Sequence, residues 1–502
     1  MKNRIIFYTL LAGAALALYA QDFGFGSDED TVKDTSTPPI TVKVGGEIAV
    51  EFSPYTHDLD KQTISFKDMV SGKLNLKAAG ENVEAYAAFN LNAESIGELW
   101  NENPLLNDPT YTPLIIDEAF LRGYIGPVTL EAGLRKLTWG KADSLGPLDV
   151  INPLDYTDLR NITDIQAVKI ARPLFHVSWD MDGFSKIEGV FIPNFTGHRF
   201  AQEGRWAPAQ YAAMKETVET GIRNRALQRY PQFALLMQAM YPQIADNFPD
   251  LSPEYPDMST LKSFQSGLRF TTTIGPADIG VQYFYGNLFR PDFSITGVDD
   301  FLDDLVWGNY PPDPLLNPNF PYSGNSGLLS PRLKYNRYHQ IGLDYAQVLF
   351  TLNVRAEAAL HLTEDRQGDD RSVRNPFIGW SLGFDRDLFW GINVNIQCNE
   401  TIRLFNNKVK DNPVDCEAGA DVTATRITLR LSKKFFRDEL ESAVTCIWGI
   451  EDLDCYIIPA LTWTVGGMSA ELSAGIFTGK ESGELGQYWE NSFVRACLKY
   501  SF

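Results

Sequence analysis

Apolar and polar side chains alternate along much of this chain. From Ile40 to Phe52 the even-numbered positions hold Ile, Val, Gly or Phe, and the odd-numbered positions include Lys43, Glu47 and Glu51. A period of two residues is typical of a β-strand with one apolar and one polar face. The same alternation returns at 72–78, 83–91, 128–134, 268–274, 279–285, 352–360, 392–396, 427–431 and 468–476. The pattern predicts an all-β chain.

Short turns and long polar connections alternate between these segments. The short turns are predicted near 80–82, 126–127, 181–183, 275–276, 385–387, 436–438 and 466–467. The long connections are predicted near 54–66, 94–112, 138–164, 194–260, 288–333, 363–374, 403–420 and 478–489. A transmembrane antiparallel β-barrel has short periplasmic turns and long extracellular loops, and its ring leaves no backbone group unpaired in lipid. We therefore predict such a barrel, with about 18 strands in a range of roughly 16 to 18.

Composition alone suggests a different class of protein. With 502 residues, 44% hydrophobic residues and a net charge of −20, the chain resembles a large acidic soluble protein. A stripe of apolar residues on one face of each strand explains how a lipid-facing wall coexists with this composition. The acidic balance argues against nucleic acid as a partner.

The N-terminal residues predict secretion. Lys2 and Arg4 precede an apolar stretch from Ile5 to Leu18, and Ala20 is small enough for signal peptidase. We predict a signal peptide over 1–20, a flexible periplasmic leader over 21–39 and a single barrel domain over 40–502. The expected location is the outer membrane of a diderm bacterium, where the barrel contacts lipid. The final strand ends on Phe502, which resembles the signal that barrel-assembly machinery reads.

The polar faces of the predicted strands supply candidate pore-lining residues. The barrel closure would place Arg495 and Lys499 beside Glu47 and Glu51. Two interpretations stay open: these charges form cross-strand pairs that only stabilise the wall, or they set up a transverse field that orients solutes. The candidates are Glu47, Glu51, Lys73, Lys77, Glu118, Arg122, Glu131, Arg135, Arg269, Asp344, Arg355, Glu357, Arg426, Arg430, Arg495 and Lys499.

The connection after residue 134 mixes turn residues with apolar residues and spaced carboxylates. Such a composition favours a loop that packs inside the barrel and narrows it. The candidate constriction residues are Trp139, Asp143, Asp149, Asn152 and Asp155.

Four motifs between residues 115 and 195 carry a family resemblance: DEAF at 117–120, WGKAD at 139–143, DVINPLD at 149–155 and IPNF at 192–195. This region is similar to large outer-membrane barrels that carry a domain of unknown function and have been likened to alginate-export and substrate-specific porin-type channels. The resemblance implies a channel without naming its solute. This chain departs from the family by an insert at 194–260.

Two features of the long loops invite interpretation. In the insert, apolar residues recur at helical spacing between Pro208 and Pro242, which predicts helices that either plug the mouth or decorate the exterior. Four carboxylates at Asp299, Asp300, Asp303 and Asp304 either hold Ca²⁺ or form a solvated acidic loop, although the spacing of a calcium loop is missing.

Motifs for catalysis and cofactors are missing from the sequence. The five histidines are scattered, and the five cysteines form no CxxC motif, so we expect no enzyme, no metal site and no cofactor. Cys446 with Cys455, and Cys398 with Cys416, are the candidate disulfide pairs. The expected function is a channel for passive or substrate-selective passage of small solutes. The alternatives are a plugged surface barrel with a structural or adhesive role and a transporter of hydrophobic compounds. The sequence leaves a monomer and a trimer equally open.

Overall fold

The structure is a computed structural model, and it describes residues 40–57, 59, 69–92, 115–201, 203–233, 253–254, 256, 261–307, 330–410 and 414–502. The predicted signal peptide and leader, at 1–20 and 21–39, lie outside the described residues. Most of the second half of the insert lies outside them as well.

Eighteen strands form one sheet. The first nine are β1 (Thr41–Phe52), β2 (Val70–Ala79), β3 (Val83–Asn92), β4 (Ile116–Ile125), β5 (Val128–Arg135), β6 (Arg172–Asp180), β7 (Ser185–Ile192), β8 (Gln265–Ile274) and β9 (Ala277–Asn287). The remaining nine are β10 (Arg337–Leu349), β11 (Leu352–Thr363), β12 (Phe377–Asp387), β13 (Ile392–Arg403), β14 (Thr423–Phe435), β15 (Leu440–Gly449), β16 (Asp454–Val465), β17 (Met468–Gly479) and β18 (Phe493–Ser501).

Each strand pairs antiparallel with its sequence neighbours, and the last strand pairs with the first. Val50 of β1 lies opposite Val70 of β2 and also opposite Leu498 of β18. The sheet is therefore a closed ring, in which the backbone groups of every strand find partners on both sides. The prediction of an antiparallel barrel of about 18 strands is confirmed.

The two faces of the wall differ as the alternation predicts. Apolar side chains such as Leu121, Leu343 and Leu472 are more than half exposed on the outer face. Polar side chains at the opposite parity, such as Gln282 and Gln397, are buried. A wall that is apolar outside and polar inside fits a barrel surrounded by lipid.

The connections follow the predicted alternation with three differences. The turn predicted at 385–387 lies at 388–391, because the strand β12 continues to Asp387. A further short turn joins β10 to β11 through Phe350 and Thr351, which have φ values of 47° and 73°. This turn contains no Gly, Pro, Asn or Asp, so its residues give no turn signal. The connection between β15 and β16, at 450–453, is short although it lies at the end that carries the long loops.

The helices and remaining strands lie in the long connections. The α-helices are α1 (Ile165–Val168), α2 (Ala209–Arg229), α3 (Val298–Trp307) and α4 (Asn406–Lys410). Single 3₁₀ turns occur at Leu159–Asn161, Pro231–Phe233, Leu261–Ser263, Phe389–Gly391 and Gly486–Asn491. Short strands pair Asp155–Tyr156 with Arg199–Phe200, and Ser330–Lys334 with both Asp292–Thr296 and Pro253–Glu254. Within the described residues, none of these helices has the length and apolar character needed to cross a membrane.

The helix expected after Pro208 begins at Ala209, as the proline suggests, but it ends at Arg229 and not near Pro242. Pro231 explains the early end, because the residue before a proline is disfavoured in the α conformation. Helix α2 packs on α3 through two ion pairs: Arg225 binds Asp299 at 2.8 Å and Arg229 binds Asp303 at 2.7 Å. The acidic cluster thus lies on helix α3 and not in the solvated loop that was one expectation, and its members Asp299 and Asp303 are paired with arginines. The side chain of Asp304 lies outside the described residues.

The α2–α3 contact is expected to weaken in acid. The hydrogen bond from Arg225, together with the charges of Arg225 and Arg371, lowers the pKa of Asp299 to about 2. A carboxyl group whose pKa falls on folding stabilises the folded state above its unfolded pKa, near 3.8, and loses that effect as the pH falls towards 2. The helical circular-dichroism signal should therefore decline between about pH 4 and pH 2. An Asp299→Asn variant should show a weaker decline, and equal declines would contradict the assignment.

Cys446 and Cys455 lie on the outer face of adjacent strands, with their sulfur atoms 3.0 Å apart. All five cysteines are free thiols, and no described contact joins Cys398 to Cys416. A disulfide needs an S–S distance of about 2.05 Å, so the two thiols are adjacent but not bonded.

A mild thiol oxidant is expected to link Cys446 to Cys455. The mass of the chain should fall by two hydrogens, and peptides containing the two residues should be joined. Cys455→Ser should abolish the link, whereas Cys416→Ser should not. A link that persists in the Cys455→Ser variant would show that another pair reacts.

Candidate channel constriction

The connection between β5 and β6, residues 136–171, runs inside the barrel and is called the inner loop below. At one point its Ala142 N–H donates to Glu357 of β11 at 2.7 Å. Further along, its Asn161 side chain accepts from Arg495 of β18 at 2.9 Å. Strands β11 and β18 are well separated around the ring, so a loop that reaches both inner faces must cross the lumen.

The tip of the inner loop, residues 139–148, is held by one carboxylate. Glu357 accepts hydrogen bonds from the backbone N–H groups of Lys141, Ala142 and Leu148. Gly140, with φ of 103°, and Gly146 lie so close to this carboxylate that a Cβ on either would collide with it. The glycines therefore let the backbone wrap around a buried anion, which its N–H dipoles stabilise.

Carboxamides of the wall complete the docking of the tip. Gln397 of β13 accepts from the N–H groups of Asp143 and Ser144, both at 2.9 Å. Gln282 of β9 donates to the Leu148 carbonyl at 2.9 Å, and Gln340 of β10 donates to the Pro147 carbonyl at 2.6 Å. Sequence reasoning that looked for charged residues missed these glutamines. The signal of Gln397 was the run of uncharged polar residues at the inward positions 393–401 of its strand, and that of Gln282 and Gln340 was a single amide side chain at an inward position.

Among the predicted constriction residues, Trp139, Asp143 and Asp149 lie beside the open part of the lumen. Trp139 packs in a buried cluster with Ile151, Leu174 and Phe284. Asp143 is paired with Arg355 and also accepts from Asn395 at 2.8 Å. The tip is thus held by apolar packing at Trp139 and by polar contacts with the wall at Asp143.

Three of the predicted constriction residues, Asp149, Asn152 and Asp155, hold the base of the loop. Lys169 is fully buried and contacts Asp149 at 2.7 Å. Asn152 donates to the carbonyls of Arg135 and Ile170 at 3.0 and 2.9 Å. Asp155 pairs with Arg199 at 2.8 Å. Asn152 and Asp155 do not line the open space.

A second segment, residues 193–207, also enters the barrel and is called the mouth segment below. Its Arg199–Phe200 strand runs parallel to Asp155–Tyr156 of the inner loop. Its Trp206 packs with Tyr456, Phe477 and Tyr488 over strands β16 to β18. Nothing in the sequence indicated that this segment enters the lumen, since Trp206 packs against Phe477 and Tyr488, which are more than 250 positions away.

Arg172 joins the two segments. This fully buried side chain donates to the Ile151 carbonyl of the inner loop at 3.0 Å and to the Asn194 carbonyl of the mouth segment at 2.7 Å. The two segments together fill the lumen along β6–β10 and β16–β18.

The predicted pore-lining charges lie on the inner face and form a belt of ion pairs. At the barrel closure, Lys499 lies 3.6 Å from Glu47 and Arg495 lies 3.2 Å from Glu51, the neighbours that closure implied. The other pairs among the candidates and their partners are Lys73–Glu47, Lys77–Glu84, Arg122–Glu131, Arg135–Glu118, Arg269–Asp344, Arg355–Asp143, Arg426–Glu484 and Arg430–Glu441. Sequence reasoning missed Glu84 and Glu484 as partners, although it placed them in a predicted strand at 83–91 and a predicted long connection at 478–489.

An open cavity of about 1310 Å³ remains between the inner loop and the wall formed by β13–β15. Asp143 and Ser144 line it on the loop side, and Asn395, Asn399, Thr428 and Arg430 line it on the wall side. Of the predicted pore-lining residues, Glu357, Arg426 and Arg430 lie along this cavity. The remaining candidates face parts of the lumen that lie outside it.

The mouth of this cavity carries a strongly acidic group. Burial alone would raise the pKa of Glu484, but the charges of Arg426 and Arg290 lower it to about 2. Nearby, burial followed by the charges of Asp454 and Glu484 raises the pKa of Asp452. Among the described residues, no group of three or more His, Cys, Asp or Glu side chains is arranged to hold a metal ion.

No family model matches the chain, and no curated protein matches it. Among solved structures, the chain is similar to the outer membrane protein OpdK of Pseudomonas aeruginosa, with 8% identity, a TM-score of 0.46, and coverage of 92% of this chain and 99% of that chain. It is also similar to OccAB4 of Acinetobacter baumannii, with 9% identity, a TM-score of 0.45, and coverage of 94% and 100%. A third is OmpT, an outer membrane protein of Vibrio cholerae, with 9% identity, a TM-score of 0.39, and coverage of 92% and 99%. The sequence resemblance implied the same class of barrel, and at these scores the likeness adds nothing on solute or mechanism.

Proposed function

We propose that the protein is a channel in the outer membrane of a diderm bacterium and that small polar solutes pass through it by diffusion. The observation that carries this proposal is the cavity left between the inner loop and the wall strands β13–β15, whose wall side presents mainly polar side chains. The inner loop acts as the constriction, because its docked tip limits the width of that passage.

The cavity is long enough to be part of a passage and is not a shallow surface depression. On β13 the lining runs from Asn395 to Thr401. Six steps of about 3.4 Å give about 20 Å along the strand. Strands of such barrels tilt by about 40°, so this is about 15 Å of height, which is more than half of an apolar band about 25 Å tall.

The chemistry of the lining argues against the transporter of hydrophobic compounds. Where β13 and β14 line the cavity, most inward side chains are Asn, Gln, Thr or Arg, with Ala424 as the apolar exception. Such groups are hydrated in an open lumen, and a hydrophobic solute would have to displace that water without replacing its hydrogen bonds. A polar solute keeps its hydrogen bonds in the same space.

Planar-bilayer recording on the refolded full chain tests the proposal. We expect discrete current steps in KCl that scale linearly with voltage. A barrel that inserts, shown by its heat-dependent mobility on gels, yet carries no current would contradict the channel and favour the plugged surface barrel.

A further inference from the structure

Strand β13 presents an unbroken row of uncharged polar side chains to the lumen. Asn393, Asn395, Gln397, Asn399 and Thr401 occupy consecutive inward positions, and Gln397 fixes their direction because it contacts the inner loop. Alternate residues on a strand lie about 6.8 Å apart, so the row extends across most of the wall. The row stands on the open side of the lumen, beside the cavity.

The charges next to this row are already paired with one another. Arg355 binds Asp143, Arg430 binds Glu441, and Arg426 binds Glu484. A solute ion that used any of these groups would have to compete with an existing ion pair. The row on β13 therefore offers a solute uncharged groups, while Asp421, Asp452 and Lys480 add charges elsewhere in the cavity lining.

The unused hydrogen-bonding capacity of the row is of a particular kind. The Asn395 amide nitrogen donates to Asp143 at 2.8 Å, and the Asn399 amide nitrogen donates to Ser144 at 3.3 Å. Within the described part of the chain, the Asn395 amide oxygen and the hydroxyl groups of Thr401 and Thr428 make no hydrogen bond. What remains is acceptor oxygens and rotatable hydroxyls, which suit a solute that brings its own O–H donors.

From this arrangement we infer that the passage is selective for uncharged polyhydroxylated solutes, of the size of short oligosaccharides. The inference rests on the proposed channel function and specifies its solute class. Hydroxyl groups of the solute donate to Asn395 and exchange bonds with Thr401, Thr428 and Thr445 as the solute moves along β13. On the neighbouring strand β12, the inward Gly383 leaves open space beside Gln397, whereas Ser381 lies opposite Asn399 and Pro147 of the inner loop packs against Gly379.

Aromatic side chains are scarce on this path, which indicates passage and not tight capture. Trp139 of the inner loop lines the cavity, yet it is only 3% exposed and its ring is packed in the buried cluster. Weak, repeated hydrogen bonds let a solute leave as readily as it enters, as conduction requires.

Permeation of maltotriose against a poly(ethylene glycol) of equal mass tests the inference. Both solutes are uncharged, but the glycol chain carries ether oxygens that only accept, apart from its two ends. In liposome-swelling measurements on the wild-type chain, maltotriose should enter faster than the glycol. Equal or slower entry of maltotriose, in a protein that conducts KCl, would overturn the solute class and leave the channel intact. If KCl current is absent as well, the channel itself is refuted.

A triple variant isolates the hydroxyl groups. Thr401→Val, Thr428→Val and Thr445→Val together keep the shape and charge of the lining and remove three hydroxyls. Maltotriose entry should fall by about tenfold while KCl conductance stays unchanged, since each lost hydrogen bond costs a modest amount. The matched control is Thr271→Val, on the inner face of β8 but outside the cavity lining, which should change neither quantity. Parallel losses of KCl conductance and maltotriose entry, or no loss of either, would overturn the inference.

Discussion

Replacing Glu357 with glutamine is expected to free the tip of the inner loop and to raise the single-channel conductance. The buried carboxylate of Glu357 accepts three backbone N–H groups of the tip. A glutamine loses the charge and turns an NH₂ group towards those donors. Hydrogen bonds to a charged group contribute roughly 1.5–3 kcal/mol each, so the loss should be about 3 kcal/mol or more. That shifts the ratio of docked to undocked tip by about 100-fold.

Single-channel recordings of the Glu357→Gln variant should show larger and noisier current steps than the wild type. Glu47→Gln is the matched control, because Glu47 lies on the inner face of β1 and pairs with Lys73 and Lys499 without touching the inner loop. Its conductance should stay close to that of the wild type. An unchanged conductance in Glu357→Gln would show that the tip does not limit the current.

Removing the charge of Asp149 is expected to loosen the base of the inner loop. Asp149→Asn leaves Lys169 charged and buried, with only the Leu137 carbonyl and the Thr138 hydroxyl as partners. Breaking one side of a buried pair costs about 3–5 kcal/mol. Hydrogen–deuterium exchange over residues 136–171 should accelerate accordingly.

The double variant Asp149→Asn with Lys169→Met should recover much of the protection, since no charge is then left buried without its partner. Asp278→Asn serves as the matched control, because the pair of Asp278 with Lys141 of the inner loop is solvent-exposed and such pairs contribute about 1 kcal/mol or less. If the single and double variants exchange equally fast, the buried pair is not what holds the base of the loop.

The barrel was predictable from the sequence because its signals are local. Alternation along each strand reports the two faces of the wall, and closure then fixes β18 as the neighbour of β1. The pairs of Glu47 with Lys499 and of Glu51 with Arg495 follow from those two facts. The turn at Phe350 escaped prediction because its residues adopt positive φ without glycine or asparagine.

The docking of the inner loop was not predictable, because its contacts join distant parts of the chain. Lys141 and Glu357 are 216 positions apart, and no spacing rule connects them. The composition of the loop indicated that it packs inside the barrel, but it did not show which wall strands would receive it. Consequently the roles of Gln282, Gln340 and Gln397 emerged only from the structure.

A search for charged residues identified only part of the lining of the passage. Most of the charged inner-face residues are held in pairs, as the structural interpretation of the wall proposed. The uncharged row on β13 drew no attention in a search for ionisable groups. It stands beside the open cavity, where its chemistry bears most directly on a solute.

The most direct test of the account is to narrow the proposed passage and compare the current with that of a matched variant. Thr428→Trp places a bulky side chain in the cavity from β14, and Thr271→Trp places one on the inner face of β8, outside it. Both variants should insert as folded barrels. If solutes pass along β13–β15, Thr428→Trp should remove most of the single-channel current and Thr271→Trp should leave it nearly unchanged. Equal currents in the two variants, or a larger loss in Thr271→Trp, would contradict a passage along β13–β15.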